Sequence, residues 1–123
     1  MTALTDLAAA WERGDLHLQP YGGMPMATAC YPRDANGHML ADHGGWSDGN
    51  CMSAYHGSVD AALRMKDGLL PGAEIDHMQQ FRSLRKWRVR LGVGRETFTA
   101  EAATPARALG LAVIRALVAK EGE

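Results

Sequence analysis

The stretch Lys86-Trp87-Arg88-Val89-Arg90-Leu91 constrains this chain most. Cationic and apolar side chains alternate there residue by residue, and a period of two belongs to a strand with one buried face. Trp87, Val89 and Leu91 must point into a core, and Lys86, Arg88 and Arg90 must point away from it. Gly92-Val93-Gly94 supplies a turn, and Glu96–Ala100 returns with β-branched and aromatic residues. The pair reads as an antiparallel hairpin whose apolar face needs a cover.

The cover follows at once. Thr104 is a good cap, Pro105 suits the first helical position, and Ala106, Leu109, Val113, Ala116 and Leu117 recur along one side. A helix near 104–120 is expected, with Lys120 at the end where a cation suits the dipole. Two more helices are legible. Leu4, Leu7, Ala8 and Trp11 fall on one face of a helix near 3–13, which Thr2 can cap and Gly14 can stop. Ser58 caps a helix near 58–67, with Asp60 in its first turn and Asp67-Gly68 at its close. Leu70-Pro71-Gly72 then reads as a turn. Ile75, Met78 and Phe81, spaced by three, suit a short helix between 74 and 83.

Residues 15–57 differ in kind. Seven of the fourteen glycines lie between Gly22 and Gly57, with Pro20, Pro25 and Pro32 among them. Long helices are excluded there, and short strands near Leu16–Gln19 and Met24–Tyr31 are expected. Ala41–Asn50 reads as a loop carrying Trp46. The whole order is that of an α+β fold with helices packed on a mainly antiparallel sheet. At 123 residues the chain is long enough for one domain, 1–123, and too short for two.

Two segments resemble a known family. One is Tyr55-His56-Gly57-Ser58-Val59-Asp60-Ala61-Ala62-Leu63, followed by Leu70-Pro71-Gly72. The other is Ala102-Ala103-Thr104-Pro105-Ala106-Arg107-Ala108-Leu109. In this order, with a Trp-bearing strand between them, they are similar to the phage ABA sandwich domain family, small proteins of tailed phages and prophages. The resemblance implies an α-β-α sandwich and a phage origin, and it implies no activity. It also raises a geometric question. A sheet covered on both faces should not present Lys86, Arg88 and Arg90 on one of them. Either their strand lies at an edge or the second layer is partial.

Net charge is -1, which is uninformative until the chain is divided. Residues 1–60 carry two basic and seven acidic residues, and residues 61–123 carry eleven basic and seven acidic. Arg82, Arg85, Lys86, Arg88, Arg90 and Arg95 follow one another with no acid before Glu96. Such a run can contact phosphates, with Trp87 available to stack on a base only if it faces outward. A second candidate contact is Trp46, since Trp is favoured at protein interfaces and its glycine neighbours let a loop adapt.

Chemistry-bearing residues are less persuasive. Cys30, His38, His43, Cys51 and His56 lie within 27 residues. They include no Cys-x-x-Cys or His-x-x-x-His pair, so no metal site is assigned and no cofactor is expected. No strained turn presents Cys30 or Cys51 as a nucleophile. Ser58 is a helix cap. The two cysteines are expected as free thiols, because no secretory signal is visible and no apolar run approaches a membrane span.

The sequence therefore points to a non-enzymatic phage or prophage accessory protein in the host cytoplasm. It would bind a host or phage macromolecule, an inhibitor of a bacterial defence system being one fitting role. Nucleic-acid binding through the basic strand 82–95 is the alternative. No membrane partner is expected, and an exposed sheet edge would permit a homodimer.

Overall fold

A computed structural model describes residues 3–14, 17–20, 30–33 and 54–121. In chain order they form α1 (Ala3–Arg13), β1 (His17–Pro20), β2 (Cys30–Arg33), α2 (Val59–Leu69), β3 (Glu74–Phe81), β4 (Lys86–Val93), β5 (Glu96–Ala102) and α3 (Pro105–Glu121). A single 3-10 turn, Arg82–Leu84, joins β3 to β4. The fold is α+β. Strands β3, β4 and β5 form an antiparallel sheet in that order, and β1 and β2 form a separate antiparallel pair.

The helix starts follow the capping chemistry. The Ser58 hydroxyl accepts the Ala61 N–H at 3.1 Å, and Thr104 Oγ1 accepts the Arg107 N–H at 3.1 Å. Gly14 ends α1 with φ 77° and returns its N–H to the Trp11 carbonyl at 3.2 Å. Helix α2 runs two residues past the expected end at 67, with Gly68 inside it. It closes where the Leu70 N–H meets the Lys66 carbonyl at 2.8 Å.

Two expectations are corrected. The turn between β4 and β5 is Gly94-Arg95, because Val93 pairs with Glu96. Gly94 has φ 62° at the first central position, where a type II′ turn requires glycine. Residues 74–81 are a strand, not a short helix. Its register slips between Ile75 and His77, leaving Asp76 as an extra residue. That bulge returns Ile75 and Met78 to one face, so a period of two imitates a spacing of three. Phe81, the third member of the helical pattern, falls on the opposite face.

Helix α3 packs against β4, β5, α2 and α1. It is the centre of the molecule rather than a cover on one side. Every residue from Ala108 to Ile114 is buried. The expected stripe of Ala106, Leu109, Val113 and Ala116 is buried too, with Leu117 half-buried. From the sheet, Val89, Leu91 and Ala100 complete the core. Trp11 of α1 is fully buried across Gly110 of α3. A Cβ at Gly110 would come within 2.3 Å of the Trp11 ring.

Arg85 is the one described non-glycine residue with positive φ, at 52° and ψ 44°. That conformation crowds a Cβ and costs about 1–2 kcal/mol. Arg85→Gly is expected to raise stability by about 1 kcal/mol, read as a higher urea midpoint at unchanged slope.

Candidate functional site

Strand β4 lies at the centre of its sheet, so its basic residues do not mark an edge. The alternation orients it as expected. Val89 and Leu91 are buried toward α3, Trp87 is half-buried against the same core, and Lys86, Arg88 and Arg90 are exposed on the other face. Among the described residues no helix covers that face.

Register defines the open face row by row. Phe81 lies opposite Lys86. Gln79, Arg88 and Glu101 form the next row, and His77, Arg90 and Thr99 the one after. Glu74, Gly92 and Thr97 form the last. Arg88 donates from Nε and Nη2 to Glu101 Oε2 at 2.8 and 2.6 Å, and its guanidinium carbon sits 4.7 Å from the Phe81 ring centroid. Lys86 Nζ approaches Glu101 Oε1 at 3.9 Å. These groups are one-third to one-half exposed, so each pair contributes under about 1 kcal/mol, and their effect is to hold Arg88 in place. Asp76 projects over Gly92, with Oδ2 3.0 Å from where a Cβ would stand.

The six cations named by the sequence do not form one patch. Arg82 and Arg85 lie in the β3–β4 connection beside Lys86 and Arg88, Arg90 is at mid-strand, and Arg95 is in the turn at the other end. Lys86 and Val93 are separated by about 23 Å at ~3.3 Å per residue. Four cations therefore concentrate at one end of the face, while Glu74 and Asp76 lie at the other near the turn that carries Arg95. All of Arg82, Arg85, Arg90 and Arg95 are exposed, and none forms an ion pair among the described residues. Trp46 lies outside the described residues.

Around the β5 edge lies a cleft that sequence reasoning did not anticipate, with a volume near 670 Å³. Arg107 and Arg115 of α3 line one side, with Trp11 and Glu12 of α1 beside them. Arg107 stacks over the Tyr55 ring at 4.5 Å, and its Nη2 donates to the Trp11 carbonyl at 3.2 Å. In return Trp11 Nε1 donates to the Arg107 carbonyl at 2.9 Å. Arg107 Nε is buried with no acceptor among the described residues. Arg115 reaches Glu12 Oε2 at 3.2 Å and donates to the Thr99 carbonyl at 2.8 Å. Arg107, Leu111 and Arg115 recur every four residues along one helical face, and this was the available sequence signal.

Of the thiols and imidazoles between Cys30 and His56, two are described. Cys30 begins β2, and His56 follows Tyr55 with its ring edge-on at 5.3 Å. His38, His43 and Cys51 lie outside the described residues, and among the described residues no group of three His, Cys, Asp or Glu could hold a metal ion. Among them also, no helix is long and apolar enough to cross a membrane. No family model, curated protein or solved structure matches this chain.

Proposed function

We propose that this chain is a non-enzymatic accessory protein of a phage or prophage, and that it binds a host or phage protein through the open face of its sheet. The carrying observation is the charge layout of that face. Arg82, Arg85, Lys86 and Arg88 gather at the Phe81 end, where Glu101 is pinned to Arg88, and carboxylates Glu74 and Asp76 lie at the far end near the turn that carries Arg95. Both signs at fixed places suit a protein surface with the reverse layout. The phage setting rests on the resemblance of residues 55–63 and 102–109. Inhibition of a bacterial defence protein in the host cytoplasm is the role that fits it.

The second reading is nucleic-acid binding through 82–95. Four cations converge on the β3–β4 end, beside the half-buried Phe81 ring. A polyanion laid along β4 would also meet Glu101, Glu74 and Asp76, which favours the protein reading.

Capture from infected and uninfected host lysates tests the choice. Gln79→Glu combined with Arg90→Glu, both exposed, is expected to reduce recovery of the captured protein at least tenfold while the melting curve stays unchanged. Equal recovery contradicts the reading. A gel shift with DNA and RNA that disappears when Arg85, Lys86, Arg88 and Arg90 become Ser would establish the second reading instead.

A further inference from the structure

The geometry points to the outer edge of β5 as a docking strip for an extended, acid-rich peptide segment, added as a fourth strand beside the sheet. This assignment rests on the binding-protein reading and specifies which part of a partner is held and how.

The first argument is backbone geometry. In a two-residue hairpin the flanking pair, here Val93 and Glu96, exchanges both hydrogen bonds, and along an antiparallel ladder such pairs alternate with unbonded ones. Phe98, Ala100 and Ala102 therefore bond to β4. Thr97, Thr99 and Glu101 direct their N–H and C=O groups away from it. The Arg115 bond to the Thr99 carbonyl has this outward orientation. Among the described residues nothing meets the outward groups of Glu101.

The second argument is the shape of the cleft. Five consecutive residues, Thr99 through Ala103, line it. Successive strand residues face opposite sides, so a wall that includes all of them is the strand's edge. An extended chain laid there can pair with it, as in strand addition elsewhere.

Charge decides the occupant. Arg85, Lys86, Arg88, Arg107 and Arg115 line the cleft, against the carboxylates Glu12 and Glu101. The cations flank the edge on both sides, Arg107 and Arg115 from α3 and Lys86 and Arg88 from the open face. Acidic side chains of an added strand meet cations whichever way they alternate. A second copy of this chain joined edge to edge would set these cations against each other. Arg85, in the lining of the same cleft, holds an unfavourable backbone conformation, as residues in binding sites often do.

Binding then exchanges one contact for another. An N–H of the incoming strand replaces Arg115 Nη1 at the Thr99 carbonyl, and the freed Nη1 turns to an acidic side chain of the peptide while Nη2 keeps Glu12. Arg115 is thus a plug on a sheet edge that would otherwise invite unselective pairing.

The test uses the wild-type protein and three fluorescein-labelled peptides of about ten residues: alternating Glu and Thr, alternating Lys and Thr, and the Glu/Thr peptide with every backbone amide methylated. The Glu/Thr peptide is expected to raise anisotropy saturably. The Lys/Thr peptide should not bind, and methylation should weaken binding at least tenfold although charge is unchanged. Hydrogen exchange should slow at the Thr99 and Glu101 amides in the complex. Equal binding of the methylated peptide, absence of binding, or binding without protection at Thr99 and Glu101 overturns the assignment. If the acidic peptide fails while a protein partner still depends on Gln79 and Arg90, the edge assignment falls and the open-face reading stands. Sedimentation as a dimer that the acidic peptide cannot dissociate would also overturn it.

Discussion

Trp11→Ala is expected to cost about 3–5 kcal/mol, the largest loss from a single side chain among the described residues. Trp11 is fully buried and its indole fills the space above Gly110. Truncation leaves a cavity that backbone atoms of α3 cannot close. It also removes the Nε1–H bond to the Arg107 carbonyl and the edge-on contact with Tyr55 at 5.2 Å. Urea titration followed by circular dichroism measures the effect. Trp11→Phe keeps most of the volume and loses the hydrogen bond, so a cost near 1–2 kcal/mol is expected. A loss below about 1 kcal/mol for Trp11→Ala would mean that α1 is not docked on α3.

Gly110→Ala is expected to destabilise by about 1–3 kcal/mol, against the direction of helix propensity. Mid-helix, Ala is intrinsically favoured over Gly by about 1 kcal/mol. At this position the added methyl would lie 2.3 and 2.7 Å from two Trp11 ring carbons. Neither atom is the end of a flexible chain, and the ring is enclosed, so the two helices must separate. The background decides the sign. In Trp11→Ala protein the clash is gone and Gly110→Ala should stabilise. A double-mutant cycle should show a coupling of about 2–4 kcal/mol, the difference between a cost of about 1–3 in one background and a gain of about 1 in the other, where distant sites add independently. Gly110→Ala that stabilises both backgrounds would refute the contact.

These two predictions concern an interface that was only half legible in the sequence. Trp11 stood out as an apolar helix residue, and Thr104-Pro105 announced α3, because caps and periodicity are local. That Trp11 lies on Gly110 is a matter of two helices ninety-odd residues apart, and no local pattern encodes it. The run Ala108–Ile114 carries no charge, a sign of a helix buried on all sides rather than along one stripe. The reading of one buried side missed that sign. Asp76 misled for a different reason. A bulge changes the phase of a strand, and a phase change is visible only against a partner.

The candidate surfaces divide in the same way. Alternation along β4 was sufficient to orient Lys86, Arg88 and Arg90 outward and Trp87 inward. The sequence run from Arg82 to Arg95 exaggerated the patch, because adjacency along a strand is separation in space. Arg95 ends far from Arg82, and Glu101, distant in sequence, is brought onto Arg88 by pairing with β5. Arg107 and Arg115 were hidden inside an apolar helix. They became part of a cleft only through α1 and the β5 edge.

Site-specific photocrosslinking tests the central claim most directly. A photoreactive phenylalanine analogue is placed singly at Gln79, Arg90 or Thr97 on the open face, and at Asp67 or Lys120 on the helical side. All five positions are exposed. Each variant is irradiated in infected and uninfected host lysate. Binding through the open face predicts one discrete protein adduct from Gln79, Arg90 and Thr97 and none from Asp67 or Lys120. Adducts only from the helical positions, or adducts to nucleic acid in place of protein, would contradict it.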